Sequence, residues 1–390
     1  MKRIAMFMSV LALAAVSFMS CDKNENGGDE ELILDGFYVY GEATCLDRVT
    51  EKGMFAKGLN EADGNAVVGG LWEKYVALEG GKTFVIAEIK GGAETKYGAG
   101  ELETETVSGS DYSIDGVSVT EGTYVKDATF SVETSGLYHV IVYVPKSQVT
   151  IIPVSEWSMN NNGVEPVDGG EWVKAHTAEF NKERMSFSLA NNKLNGAFKF
   201  QYGNGWKYVI DADENVKVNT NFGADALKFD GTEEAVAAGG ADIKVGRSSK
   251  AIYTSELIWK MERGLGFSAK FTKTGTFELP DPATYTLGLI GSIGGDTWTT
   301  DIEMTYIEGS SWKFVKENLK IEAGAEFKVR SVGTWSGDVN FGYNEVTITG
   351  DSDNFQNNGG NIKAIAEKTY SKITLTYDGP TDSWTLDFAL

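Results

Sequence analysis

Histidine and cysteine are nearly missing from this 390-residue chain, with two of each: His139 and His176, Cys21 and Cys45. That scarcity excludes a conventional structural zinc site and leaves little for histidine-assisted nucleophilic catalysis. Basic residues are also short, 35 Lys and Arg against 56 Asp and Glu, for a net charge of −21. No segment clusters Lys or Arg as a phosphate-binding face needs, so nucleic acid and anionic membrane surfaces are poor partners. Proline is rare as well, 6 residues against 46 Gly, which points to many tight turns between strands. Aromatics are plentiful: 9 Trp, 16 Tyr and 20 Phe. That is more Trp and Tyr than a core of this size requires, so some are expected at the surface. The length, at roughly 100–200 residues per domain, allows two to four domains.

The N-terminus reads as an export signal. Met1-Lys2-Arg3 is basic, and Ile4 to Ser20 is an uncharged, mostly apolar stretch somewhat short of the ~20 residues a spanning helix needs. It ends at Cys21, where a sharp polar change begins, and a Cys at that junction resembles the lipidation site of a bacterial lipoprotein; an ordinary cleavage site with an incidental Cys is the alternative. Removing residues 1–20 takes away Lys2 and Arg3, so the mature charge is −21 − 2 = −23. Cys45 is then expected to be the lone thiol of the folded part, leaving the domains to be held by their cores. Residues 21–35 carry the lipid and an acidic, flexible tether.

Beyond residue 35, short alternating runs such as Phe37-Tyr38-Val39-Tyr40 and Ile373-Thr374-Leu375-Thr376-Tyr377, broken by Gly, Asn and Asp, predict strands. Ser255 to Arg263 is the clearest candidate helix and Glu179 to Met185 a weaker one. The expected fold is all-β: three tandem β-sandwich domains.

Self-comparison finds internal repeats. Phe198-Lys199-Phe200-Gln201 and Phe327-Lys328-Val329-Arg330 each place a Trp eight residues after the first Phe, at Trp206 and Trp335. Asn221-Phe222-Gly223 and Asn340-Phe341-Gly342 follow, then Gly239-Gly240 and Gly359-Gly360. Three landmarks in one order define two related domains, 150–279 and 280–390, with Leu279-Pro280-Asp281-Pro282 as linker. A first domain, 36–149, carries a weaker copy in Lys82-Thr83-Phe84 and Tyr97-Gly98; Val85 replaces the Lys, and Gly92 stands where the Trp belongs.

Strand alternation puts Phe327 and Val329 on one face and Lys328 and Arg330 on the other, and likewise Phe198 and Phe200 against Lys199 and Gln201. The outward pairs, beside a loop Trp, suit neutral sugar recognition: a flat indole stacks on a pyranose C–H face while planar donors meet its hydroxyls. The alternative is a strand with solvated charges and a core Trp. Recurrence in two copies, with both members lost from the third, favours the sugar site.

With its lipoprotein-like Cys21, Phe327-Lys328-Val329-Arg330 with Trp335, Asn340-Phe341-Gly342 and Gly359-Gly360-Asn361-Ile362, the chain resembles the SusE/SusF type of starch-utilisation outer-membrane lipoproteins, whose tandem β-sandwiches bind α-glucan. The resemblance implies a non-enzymatic, lipid-anchored protein on the exterior of a Gram-negative outer membrane. Its membrane contact is through lipid alone, and its partners are a polysaccharide, an outer-membrane transporter and neighbouring glycan-binding lipoproteins. It implies a non-binding first domain, Asn340 as a site residue, and Trp298, in Gly294-Gly295-Asp296-Thr297-Trp298, as the aromatic partner of Trp335. In the middle domain Glu156-Trp157-Ser158-Met159 is the loosely matching loop, and Gln201 stands in the place of Arg330, with Tyr202 beside it and Lys199 and Trp206 as the other site residues. A glycoside hydrolase and a structural or adhesive lipoprotein are the alternatives; no catalytic residue, metal ligand or cofactor is singled out. Asp211-Ala212-Asp213-Glu214-Asn215 begins like a calcium loop, but Val216 occupies the position that needs Gly.

Overall fold

The computed structural model describes residues 32–109, 113–160, 164–165, 174–181, 185–276, 284–308, 312–335, 339–378 and 383–390. The export signal, Cys21, the tether to Glu31 and the linker around Pro280 lie outside them. Among the described residues the chain is all β, with short 3-10 turns and no α-helix. Cys45, expected to be a lone thiol, stands in a disulfide.

The first sheet runs in the order Gly36–Tyr40, Thr83–Lys90, Ala93–Thr106, Ser118–Lys126, Gln148–Pro153, Gly136–Tyr143, Ala66–Leu78, Ala56–Asn60. Gln148–Pro153 belongs to this sheet, so the changeover falls between Pro153 and Glu156, a few residues past the expected boundary at 149/150. The second sheet centres on Glu156–Asn160, Lys199–Gln201 and Asn221–Gly223, flanked by Lys174–Asn181, Ser186–Leu194, Ala251–Trp259 and Phe267–Gly275. A separate ribbon, Lys207–Val209 with Lys217–Asn219, stands off it.

The expected helix over Ser255–Arg263 is absent. Ala251–Trp259 is a strand, paired on one side with Ser186–Leu194 and on the other with Phe267–Gly275. Its burial alternates at every second residue, with Tyr253, Leu257 and Trp259 inward, so two flanking strands override a weak helical preference. The other expected helix, from Glu179, begins inside the strand Lys174–Asn181, and residues 182–184 lie outside the described set.

Residues 287–389 form a two-layer sandwich. One sheet holds Leu287–Gly291, Glu326–Ser331, Asn361–Ala364 and Phe355–Asn358; the other holds Lys313–Ile321, Lys368–Asp378, Ser383–Ala389 and Thr347–Gly350, the last pairing parallel to Ser383–Ala389. Inward residues of both layers, Leu289, Phe327, Val329 and Phe355 against Phe314, Tyr370, Leu375 and Phe388, make one core, with the Phe355 and Phe388 rings 4.2 Å apart.

The first two sheets do not keep separate cores. A continuous apolar cluster runs from Phe37 to Phe271. At its centre Tyr75, from the first sheet, stacks on His139 at 4.1 Å and meets Phe267 and Phe222 of the second edge-on at 4.9 and 5.7 Å. Polar groups are buried there too. His139 is bonded through Nε2 to the Glu73 carboxylate at 2.8 Å and through Nδ1 to the Tyr202 hydroxyl at 2.7 Å. Lys74 donates to the carbonyls of Glu262 and Gly264. His139 and Lys74 are thus paired across the joint, as burial requires.

Candidate glycan-binding site

All three copies share one strand register. Val329 pairs with Phe341, Phe200 with Phe222, and Ile86 with Tyr97, in each case two residues after the landmark Phe. The glycine that follows is fixed by close approach: a Cβ at Gly342 or Gly223 would lie within 2.0 Å of the carbonyl oxygen of Gly360 or Ala241. Asn340 Nδ2 donates to the Trp335 carbonyl at 3.1 Å, and Asn221 Nδ2 donates to the Trp206 carbonyl at 2.8 Å, so the same amide clasps the same loop twice.

In the C-terminal copy Phe327 and Val329 are fully buried, while Lys328 and Arg330 take the opposite face, as alternation demands. Arg330 differs from expectation. Its Nε and Nη2 donate to the two oxygens of Asp301, both at 2.8 Å, and it is 6% exposed, so little of it remains for a ligand. Its guanidinium carbon lies 4.2 Å from the centre of the Trp335 ring. Arg330 is therefore a buttress under Trp335. Asp301 also accepts the Gly333 N–H at 2.9 Å, which ties the loop to the strand. The Arg330 hydrogen bond holds the Asp301 carboxyl below its ordinary range, and Asp301 in turn raises Arg330.

Trp335 is 49% exposed, and the half-buried Trp298 lies beside it with ring centres 6.2 Å apart and planes tilted by 32°. Trp298 adopts φ +65°, a left-handed conformation that costs a bulky residue of order 1–3 kcal/mol unless its surroundings impose it. Asp296 imposes it by accepting from the Thr299 hydroxyl and the Thr300 N–H, and these donors hold its carboxyl down at about 2. Trp298, Trp335, Arg330 and Asn340 come together, with the half-buried Lys328 two residues along the same face. Asp296 and Asp301 were missed by sequence reasoning; their signal was two carboxylates bracketing Thr297-Trp298-Thr299-Thr300, a spacing suited to turns closed by Asp side chains.

The middle copy is built differently. Trp157, expected on a loop, lies in the strand Glu156–Asn160 and is 1% exposed, because alternation there points Trp157 and Met159 into the core. Gln201 is buried, and Tyr202 is buried with its hydroxyl spent on His139. Burial leaves neither side chain open to a ligand. Lys199 keeps the place of Lys328, its Nζ 3.5 Å from Asn221 Oδ1 and 3.8 Å from Asp242 Oδ1, and Trp206 is half-buried. The first copy has no loop to carry a Trp: Lys90 pairs with Ala93 across Gly91 and Gly92, both at positive φ.

No family model matches this chain, and no curated protein matches it. Among solved structures it is similar to SusF from Bacteroides thetaiotaomicron, at 13% identity and a TM-score of 0.21, over 90% of this chain and 72% of that one. So distant a likeness carries no argument about a ligand, which is read instead from this chain's own residues.

A cleft of about 840 Å³ between the first and middle sheets is lined by Glu105, Glu121, Asp211 and Glu214 with Lys146. Its one ring, Tyr208, is 6% exposed with the hydroxyl donated to Glu121, so the cleft offers no flat apolar face for a sugar.

Proposed function

We propose that the chain is a polysaccharide-binding protein whose C-terminal Trp298–Trp335 pair stacks on a glycan, with starch-type α-glucan as the favoured ligand. The observation that carries this reading is the exposed aromatic pair, held from below by a buried, doubly hydrogen-bonded Arg330–Asp301 bridge. A large apolar surface kept rigid and open to solvent is what recognition of a sugar's C–H face needs. At 6.2 Å the two rings touch, so a sugar lies across them and not between them. The 32° tilt makes the platform a shallow arc, which suits a curved α-linked chain better than a flat β-linked ribbon. Lys328 supplies an ammonium on the same face for hydroxyl oxygens.

A hydrolytic role is disfavoured at this site. Its two carboxyls, Asp296 and Asp301, are both held in the ionised form, so neither serves as the protonated acid a glycosidase needs. A lipid anchor at Cys21, which uses the one other cysteine sulfur of the chain and so takes the place of the Cys45 disulfide, exposure at the cell exterior, and delivery of captured glycan to an outer-membrane transporter complete the proposal. Affinity electrophoresis against starch, pullulan, xyloglucan, xylan, mannan and mucin tests it, with retardation expected in starch and pullulan. Mobility unchanged in every gel refutes glycan binding, and sugar release by the purified protein refutes the non-catalytic reading.

A further inference from the structure

The repeat offers the same face twice, yet the two faces meet different surroundings. In the C-terminal copy Asn340 is exposed, and a Cβ added at Gly359 would meet nothing within 4 Å. In the middle copy the matching Asn221 is 2% exposed, and a Cβ at the matching Gly239 would lie 2.6 Å from the Asn65 side chain.

What covers it is the turn Asn60–Asn65 of the first sheet. Asn60 donates through Nδ2 to the Asn215 carbonyl at 2.8 Å and accepts the Lys217 N–H at 3.1 Å. Asn65 donates to the Gly239 carbonyl at 2.9 Å and accepts from Asn219 Nδ2 at 3.1 Å. Between them the half-buried Glu61 faces the charges of Lys207, Lys199 and Lys217. One oxygen of Glu61 has no hydrogen-bond partner, and those three lysines offset part of its burial, which still holds the carboxyl above its ordinary range. A second segment closes the Trp206 loop from the side. Ile114 N–H donates to the Lys207 carbonyl at 3.0 Å, Asp115 N–H donates to the Gly203 carbonyl, and a Cβ at Gly205 would collide with Ser113.

We propose that the turn Asn60–Asn65 is an intramolecular ligand of the middle copy, occupying with two amides and a carboxylate the polar face that in the C-terminal copy stays open for glycan. The duplicated site has become the surface on which the first sheet docks, and the chain offers the C-terminal face to polymer. This rests on the reading of the C-terminal face as a glycan site. With the middle face closed, a second intramolecular contact to the same polymer, and the avidity it would add, is unavailable.

Lysine acetylation of the full chain, read by mass spectrometry with and without maltoheptaose, tests the proposal. Lys328 is expected to react readily and to be protected by the sugar; Lys199 is expected to react slowly and to be indifferent to it. Equal reactivity of Lys199 and Lys328 in the free chain overturns the proposal, and this comparison needs no variant. In Asn60→Ala/Glu61→Ala/Asn65→Ala, Lys199 reactivity rises several-fold while Lys328 is unchanged; an unmoved Lys199 in a folded variant also overturns it. Calorimetric titration with maltoheptaose separates the two levels. A roughly hundredfold fall in Trp335→Ala, with any residual binding unmoved by Trp206→Ala, supports a closed middle face, and residual binding that Trp206→Ala removes refutes it. If the wild-type chain gives no heat, glycan binding fails and the acetylation pattern alone judges the docking.

Discussion

Replacing Trp335 by alanine removes the larger exposed part of the proposed platform. A Trp side chain offers up to about 250 Å² of surface. With 49% of Trp335 open, about 120 Å² is available, and a sugar face covering half of that hides ~60 Å² on the indole and a similar area of its own. At about 25 cal/mol per Å² the ~120 Å² removed from water stabilises the complex by about 3 kcal/mol, roughly a hundredfold in affinity. The fold loses less, because what goes is a stacking contact with the buried Arg330 worth about 1–2 kcal/mol. Isothermal titration with maltoheptaose well below the melting midpoint, with thermal melting as the control, separates the two: binding falls about a hundredfold while the midpoint shifts by about 10 degrees. Trp206→Ala, on the covered loop, is the matched comparison and leaves affinity unchanged. Wild-type affinity in Trp335→Ala refutes the stacking argument.

Asp301→Ala leaves Arg330 buried without its carboxylate, a loss of about 3–5 kcal/mol where both side chains are 7% exposed, so the C-terminal sandwich melts earlier and binding falls with it; an unchanged melting curve contradicts the buttress. Burial pushes the Lys74 ammonium down to about 7, with Glu262 opposing the shift. The folded chain therefore holds fewer protons than the unfolded one between pH 7 and 10.5, and stability rises with pH across that window by up to about 1.4 kcal/mol per unit. Urea unfolding from pH 6.5 to 9.5 should show the rise in the wild type and lose it in Lys74→Met; parallel curves for the two proteins refute the assignment. Cells fed labelled palmitate should incorporate it at Cys21 and not in Cys21→Ser. Because Cys45 is disulfide-bonded and the chain holds one other cysteine, a Cys21–Cys45 bond detected in the mature protein contradicts lipidation.

The C-terminal site was legible from Phe327-Lys328-Val329-Arg330 and the Trp eight residues on, because period-2 alternation assigns faces without knowledge of the fold. Arg330's partner was not, since Asp301 lies 29 residues away and reaches it only once Leu287–Gly291 and Glu326–Ser331 pair. In the middle copy the same inference misplaced Gln201 and Tyr202. Alternation put Gln201 on the side of Lys199, yet it is buried there, and Tyr202, the next residue, takes the opposite side, where its hydroxyl meets His139 of the first sheet. Ser255–Arg263 misled for a related reason, because its period-2 burial is enforced by strands from two distant segments.

By itself the sequence determined the all-β fold and pointed to the recurring landmarks and the loop tryptophans, since these follow from local periodicity and from residues recurring in order. Which copy faces solvent was decided only by the tertiary structure. Burial is a property of what packs from elsewhere in the chain, and Asn60, Glu61 and Asn65 carry no local sign that they close over residues more than 130 positions away.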